Sequence, residues 1–194
     1  MDITEKIYTG LTKEKKLSER QELLLKHGIN IVLCDGGNLL FTTGISFVFG
    51  KSIVTVLYLI LFSILRSYSG GWHASTRGQC FLSFQSFYCL YILLLSLDIP
   101  KSIECSTVLL SFVYIVLNAP VEHFLNPLSQ EEIERNRVKT VFIATAMTVT
   151  YFFTSLYPSV SRTITVVLFF DMIMMVKLKN SSSWRYHENQ MRCR

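Results

Sequence analysis

The sequence predicts an all-α, polytopic integral membrane protein. It expects about six apolar helical segments, one or two of them re-entrant candidates, behind an N-terminal amphipathic interfacial segment. Three observations predict this. Half of the 194 residues are apolar and only 17% are charged. The apolar residues gather in runs rather than alternating with polar ones, as membrane spans require. Of the 19 Lys and Arg residues, only Lys51, Lys101 and Arg162 fall in loops expected on the far side from the N-terminus. That is a strong positive-inside bias. It expects both termini on the cytoplasmic side of a cell membrane.

Residues 1–28 read as an interfacial segment. Ile3, Ile7 and Leu11 fall at helical spacing, with Gly10 weakening the first helix. Ser18 with Gln21 makes a capping box for a second helix carrying Leu23, Leu24 and Leu25, with Gly28 as its stop. Lys13, Lys15, Lys16, Arg20 and Lys26 suit a helix lying on an anionic leaflet. A solvated helix packing on its own protein explains the pattern equally well.

Residues 29–179 form the expected membrane domain, and 180–194 a cytoplasmic tail. Apolar segments are expected at 29–49, 52–65, 81–99, 103–119, 139–157 and 161–178. Asp35-Gly36-Gly37-Asn38 interrupts the first. Asp35 faces the polar site, or the surface if the span starts later, because a carboxylate in an apolar run is costly. The second segment reaches only about 21 Å, against a hydrocarbon core of ~30 Å. Either its helix continues through Tyr68 or the following loop is sunken. Cys89 and Cys105 lie inside spans and read as buried packing. Tyr151 and Tyr157 suit anchors near an interface. Asp171 lies inside the last segment, either as a functional group or as a pairing group between helices.

Composition also excludes. The first 28 residues are charged, so no cleavable signal peptide is expected. The five cysteines are scattered without a Cys-x-x-Cys pair, which argues against a zinc knuckle or a disulfide framework. The net charge of +5 fits anionic lipid and an acidic peptide partner. The basic residues form no continuous patch, so nucleic acid is not an expected partner. A zinc site from His73, His123, Asp35 and Cys80 is disfavoured for want of a tight ligand pair. No metal and no cofactor are expected.

The stretch from Arg66 to Cys80, Arg-Ser-Tyr-Ser-Gly-Gly-Trp-His-Ala-Ser-Thr-Arg-Gly-Gln-Cys, carries the chemistry. On one helix His73 and Cys80 would share a face, yet stand roughly 10 Å apart. For His73 to deprotonate Cys80 the chain must fold back, which Gly70, Gly71 and Gly78 permit. Cys80 would open the third segment, where a helix N-terminus favours a thiolate. The plainer reading is a packed thiol and a solvated imidazole. A cytoplasm-facing Cys/His pair suits acyl transfer, with Cys80 attacking a peptide carbonyl and His73 moving the proton. Backbone N–H groups near Gly70 and Gly71 could bind the oxyanion. Arg66 either assists there or snorkels to the headgroups. No third catalytic member is evident; Asp35, Glu122 and Asn126 are candidates to orient His73 or touch substrate. A non-enzymatic peptide exporter or membrane scaffold is the alternative, with Asp35 and Asp171 along its path.

Arg66, Gly70-Gly71, His73-Ala74 and Cys80 together resemble the signature of the AgrB (accessory gene regulator B) family. The resemblance extends to the run of apolar segments and to Ala119-Pro120 followed by a polar loop. It implies a bacterial membrane cysteine endopeptidase of quorum sensing, acting on an AgrD-like propeptide with an amphipathic leader and an acidic tail. It implies His73 and Cys80 as the catalytic pair, with Arg66 and Gly71 in support. It further implies a cut before the acidic tail, a thioester on Cys80, and closure of a thiolactone or lactone by the propeptide's own Cys or Ser. Homodimers are expected by the same resemblance. Some relatives carry lysines after the Ala-Pro, where this chain has Glu122-His123-Phe124-Leu125-Asn126. A grip on the acidic tail would then pass to Arg135, Arg137 and Lys139, or to the N-terminal helix.

Overall fold

The computed structural model describes residues 7–10, 12, 19–70, 77–121, 129–154 and 156–179. His73, Gly71, Glu122 and Asn126 lie outside these residues. Beyond a helical turn over residues 7–10, the described residues form six helices: α1 (Glu19–Val48), α2 (Ser52–Ser69), α3 (Arg77–Ser96), α4 (Lys101–Asn118), α5 (Gln130–Phe153) and α6 (Pro158–Lys179). Among the described residues no strand forms; Gly70 and Val121 make one isolated parallel bridge.

The helices α2, α3, α4 and α6 are each long and apolar enough to cross a membrane, over Ser52–Ser69, Gly78–Ser96, Lys101–Asn118 and Pro158–Lys177. The expectation of six apolar segments is therefore met by four. Asp35, Gly36, Gly37 and Asn38 dilute α1, and a charged first third dilutes α5.

Several expected boundaries move. Gly28 does not stop a helix: α1 runs unbroken for 30 residues, through Gly28 and through the Asp35–Asn38 interruption. A helical Gly costs about 1 kcal/mol against Ala, and packing outweighs that, since α1 lies against α2 and α3. The real stop is Gly50, at φ 62, with Lys51 N–H returning to the Ser46 carbonyl at 3.1 Å. The second segment does continue through Tyr68, and its 18 residues span about 27 Å. The fifth begins nine residues earlier than the apolar run, at Gln130. Ser129 caps it: the Ser129 hydroxyl accepts from Glu132 N–H at 3.3 Å, and the Glu132 carboxylate accepts from Ser129 N–H at 2.9 Å.

Helix α6 is the centre of the bundle and packs against α2, α3, α4 and α5. Its Val167, Leu168, Phe170 and Met175 are fully buried. Tyr58 of α2 stacks on Tyr91 of α3 at 4.3 Å between ring centroids. The buried hydroxyls mostly find partners, as a low-dielectric interior demands. Tyr91 donates to the Val54 carbonyl at 2.9 Å and lies 3.0 Å from Thr163, and Thr55 meets Tyr88 at 3.0 Å. Gln85 of α3 ties α1 through Asn38 and Thr42. Tyr151 is buried in this core rather than anchoring an interface, while Tyr157 is exposed.

Contacts at the helix ends show an alternating up-and-down bundle. At one end the starts of α2, α4 and α6 meet the end of α3. There Lys51 reaches Ser96 at 3.0 Å, and Arg162 reaches Glu104 at 2.9 Å and the Leu95 carbonyl at 3.2 Å. Lys101 also pairs with Glu104 at 2.8 Å. The three basic residues that the sequence set apart thus share this end, and buried Glu104 neutralises two of them. Arg66, Gly70 and Cys80 lie at the opposite end.

Candidate active site

The site grows from the C-terminal turn of α2. Arg66 sits in that last turn, and its Nη1 donates to the Gly70 carbonyl. Such a bond uses a carbonyl the helix end leaves unpaired. Ser69 ends the helix and is fully buried. Its carbonyl accepts from Val121 N–H at 2.9 Å.

Gly70 follows at φ 73, and a Cβ there would overlap the Val121 carbonyl oxygen. Both the left-handed backbone and the close approach require glycine. Gly70 of the first motif therefore meets Val121, next after Ala119-Pro120: the chain leaving α4 pairs with the chain leaving α2.

Cys80 is the fourth residue of α3 and half-buried. It lies in the first described turn of that helix. Arg66 interacts electrostatically with both Cys80 and Asp171. Asp171, on α6, is fully buried and accepts from the Ser69 hydroxyl at 2.8 Å. It stands eight residues short of the end of α6, about 12 Å along the axis. Asp171 thus lies well below the tip of the central helix.

The structure brings Arg66, Gly70 and Cys80 to one end of the bundle. Asp35 lies within α1, three residues before Asn38, and its side chain is outside what is described. Cys89 is exposed on the outer surface of α3, which corrects the expectation of buried packing there, whereas Cys105 is half-buried and packs against the core. A helix face turned to lipid is as apolar an environment as a core, so the sequence pattern does not separate the two. Among the described residues no group of three His, Cys, Asp or Glu converges as a metal site would need. Sequence reasoning left Ser69 and Val121 out of the site. It noted Asp171 only as an intramembrane carboxylate, which was the usable signal.

On α5, Lys139 lies over the Tyr68 ring at 4.7 Å. Its exposed neighbours Arg135 and Arg137 therefore rise from the same end of the molecule.

Fold and site together define a helical membrane protein with a thiol, a guanidinium and a buried carboxylate at one end. Residues 4–176 match the family model for accessory gene regulator B, AgrB, and the chain belongs to that family. It is similar to the accessory gene regulator protein B of Staphylococcus intermedius, at 24% identity over 72% of this chain and 74% of the relative. Likeness to the accessory gene regulator protein B of Staphylococcus aureus (strain MRSA252) is 24% over 72% of this chain and 75% of that one. No solved structure matches.

Proposed function

We propose that this chain is a membrane cysteine endopeptidase that processes an AgrD-like propeptide in bacterial quorum sensing. The observation that supports the reading best is Cys80 in the first turn of α3 with Arg66 interacting across to it. A helix N-terminus and a cation both favour negative charge on sulfur.

His73 takes the Cys80 proton, and the sulfur attacks the carbonyl carbon of the scissile peptide bond. The C–S bond forms and the carbonyl oxygen gains the negative charge, which N–H groups near Gly70 and Gly71, with Arg66, are suited to bind. Collapse breaks the C–N bond. His73 returns its proton to the leaving amine, and an acyl thioester remains on Cys80. The propeptide's own thiol or hydroxyl then attacks that thioester, freeing Cys80 and closing a thiolactone or lactone. A site that holds the peptide folded back and restricts solvent favours this internal transfer over water.

Arg135, Arg137 and Lys139 are suited to hold the acidic tail. The membrane lipid brings the amphipathic leader, and a homodimer is the expected assembly. Both termini and the site face the cytoplasm in this reading.

The test is cleavage of such a propeptide in proteoliposomes. Cys80→Ala and His73→Ala should each abolish cleavage at unchanged protein level. Cleavage that survives both changes would leave the exporter or scaffold reading in its place.

A further inference from the structure

The proposed mechanism leaves one buried ionisable group at the motif end unused. Asp171 comes from α6, the central helix, and is fully buried. Its Oδ1 accepts from Ser69 at 2.8 Å, while its Oδ2 is buried with no hydrogen-bond partner among the described residues. A carboxylate in that position is expensive unless a positive charge answers it. Arg66 is that charge, and Arg66 also interacts with Cys80.

We propose, taking the cysteine-peptidase reading of the site as given, that Asp171 is its positioning residue: it holds the Ser69–Gly70 turn and keeps the Arg66 guanidinium on the Cys80 side.

Three observations converge on this role. Ser69 is the last residue of α2, and its hydroxyl is held by Asp171 while its carbonyl is held by Val121. Arg66 lies one helical turn earlier and donates to the carbonyl of Gly70. The same carboxylate thus holds the turn through a hydrogen bond and lies within electrostatic reach of the guanidinium. Asp171 itself acts on the sulfur only through Arg66. Because α6 contacts four other helices, the carboxylate rides on the most constrained element of the bundle. Positioning groups work best from such rigid elements.

The test is alkylation of Cys80 by iodoacetamide at pH 7 in proteoliposomes of the full chain, with the modified peptide quantified by mass spectrometry. It needs no propeptide. Asp171→Asn and Arg66→Gln should each slow alkylation about five-fold or more. The double variant should be no slower than Arg66→Gln alone, since groups acting through one another are non-additive. A faster reaction in Asp171→Asn would mean a direct field on the sulfur, and an unchanged rate would mean packing alone. A multiplicative loss in the double variant would mean independent action. Each of these overturns the proposal.

Should Asp171→Asn lower protein levels, Ser69→Ala removes the tether with no change of charge. It should slow alkylation by a smaller factor, and an unchanged rate overturns the proposal equally. With propeptide present, the same non-additivity should fall on kcat and not on KM. If the alkylation pattern holds while the parent leaves the propeptide uncut, the peptidase reading fails and the positioning role stands.

Discussion

Gly70 and Val121 share a parallel bridge so close that no side chain fits on the glycine. The contact joins the ends of α2 and α4 beside Arg66, so the shape of the site depends on one missing Cβ.

Gly70→Ala should therefore disable processing while protein still reaches the membrane. A backbone at φ 73 and ψ -158 is open essentially to glycine alone and costs about 1–3 kcal/mol for another residue, and the overlap with Val121 adds to it. Gly44→Ala is the control, because open space surrounds that helical position. It should keep full cleavage activity and hold or gain thermal stability.

Thiol chemistry should concentrate on Cys80. Cys89→Ala and Cys105→Ala should retain cleavage, with stability changed by less than about 1 kcal/mol for the exposed Cys89. A thiol alkylator should abolish processing through Cys80. Arrest of cleavage in Cys89→Ala at normal protein level would falsify the single-nucleophile assignment.

The opposite end of the bundle should tolerate loss of charge poorly. Arg162→Met leaves the Glu104 carboxylate, 1% exposed, with Lys101 as its remaining cation. Removing one member of a buried ion cluster costs about 3 kcal/mol. Thermal unfolding in detergent should register that loss. The paired change Arg162→Met with Glu104→Gln should recover much of it.

The α5 cap should be pH-dependent in a definite direction. Hydrogen bonds from the Ser129 backbone and side chain hold the Glu132 carboxyl below its ordinary range, and nearby Arg135 adds to this. A lowered folded value means the cap is at full strength above the unfolded carboxyl value. It fades as pH falls through the folded one. Amide-exchange protection at Ser129–Ile133 should therefore drop on acidification in the parent chain. Glu132→Gln should show a flat profile over the same range.

Much of this was legible in the sequence, for reasons that differ by element. Cys80 was placed near a helix start because a Gly-rich polar stretch gives way there to an apolar run. The start of α5 was missed by following hydropathy alone, although Ser129-Gln130-Glu131-Glu132 is itself a helix-start pattern. Gly28 misled because local propensity is weaker than the packing of α1 on two neighbours. The need for glycine at position 70 was half legible. Its turn conformation is a local matter, whereas the approach of Val121 is tertiary. The pairing of Ser69 with Asp171 joins distant segments, and no local pattern announces it.

The recess of Asp171 beneath the tip of α6 has a consequence for ionic strength. Charges sheltered from solvent are barely screened, whereas exposed ones lose their reach within about 10 Å at 0.1 M salt. Added salt should weaken capture of an acidic tail by Arg135 and Arg137 and leave the interplay of Arg66 with Cys80 untouched. Turnover in saturating peptide would then be indifferent to salt, and turnover in scarce peptide would not.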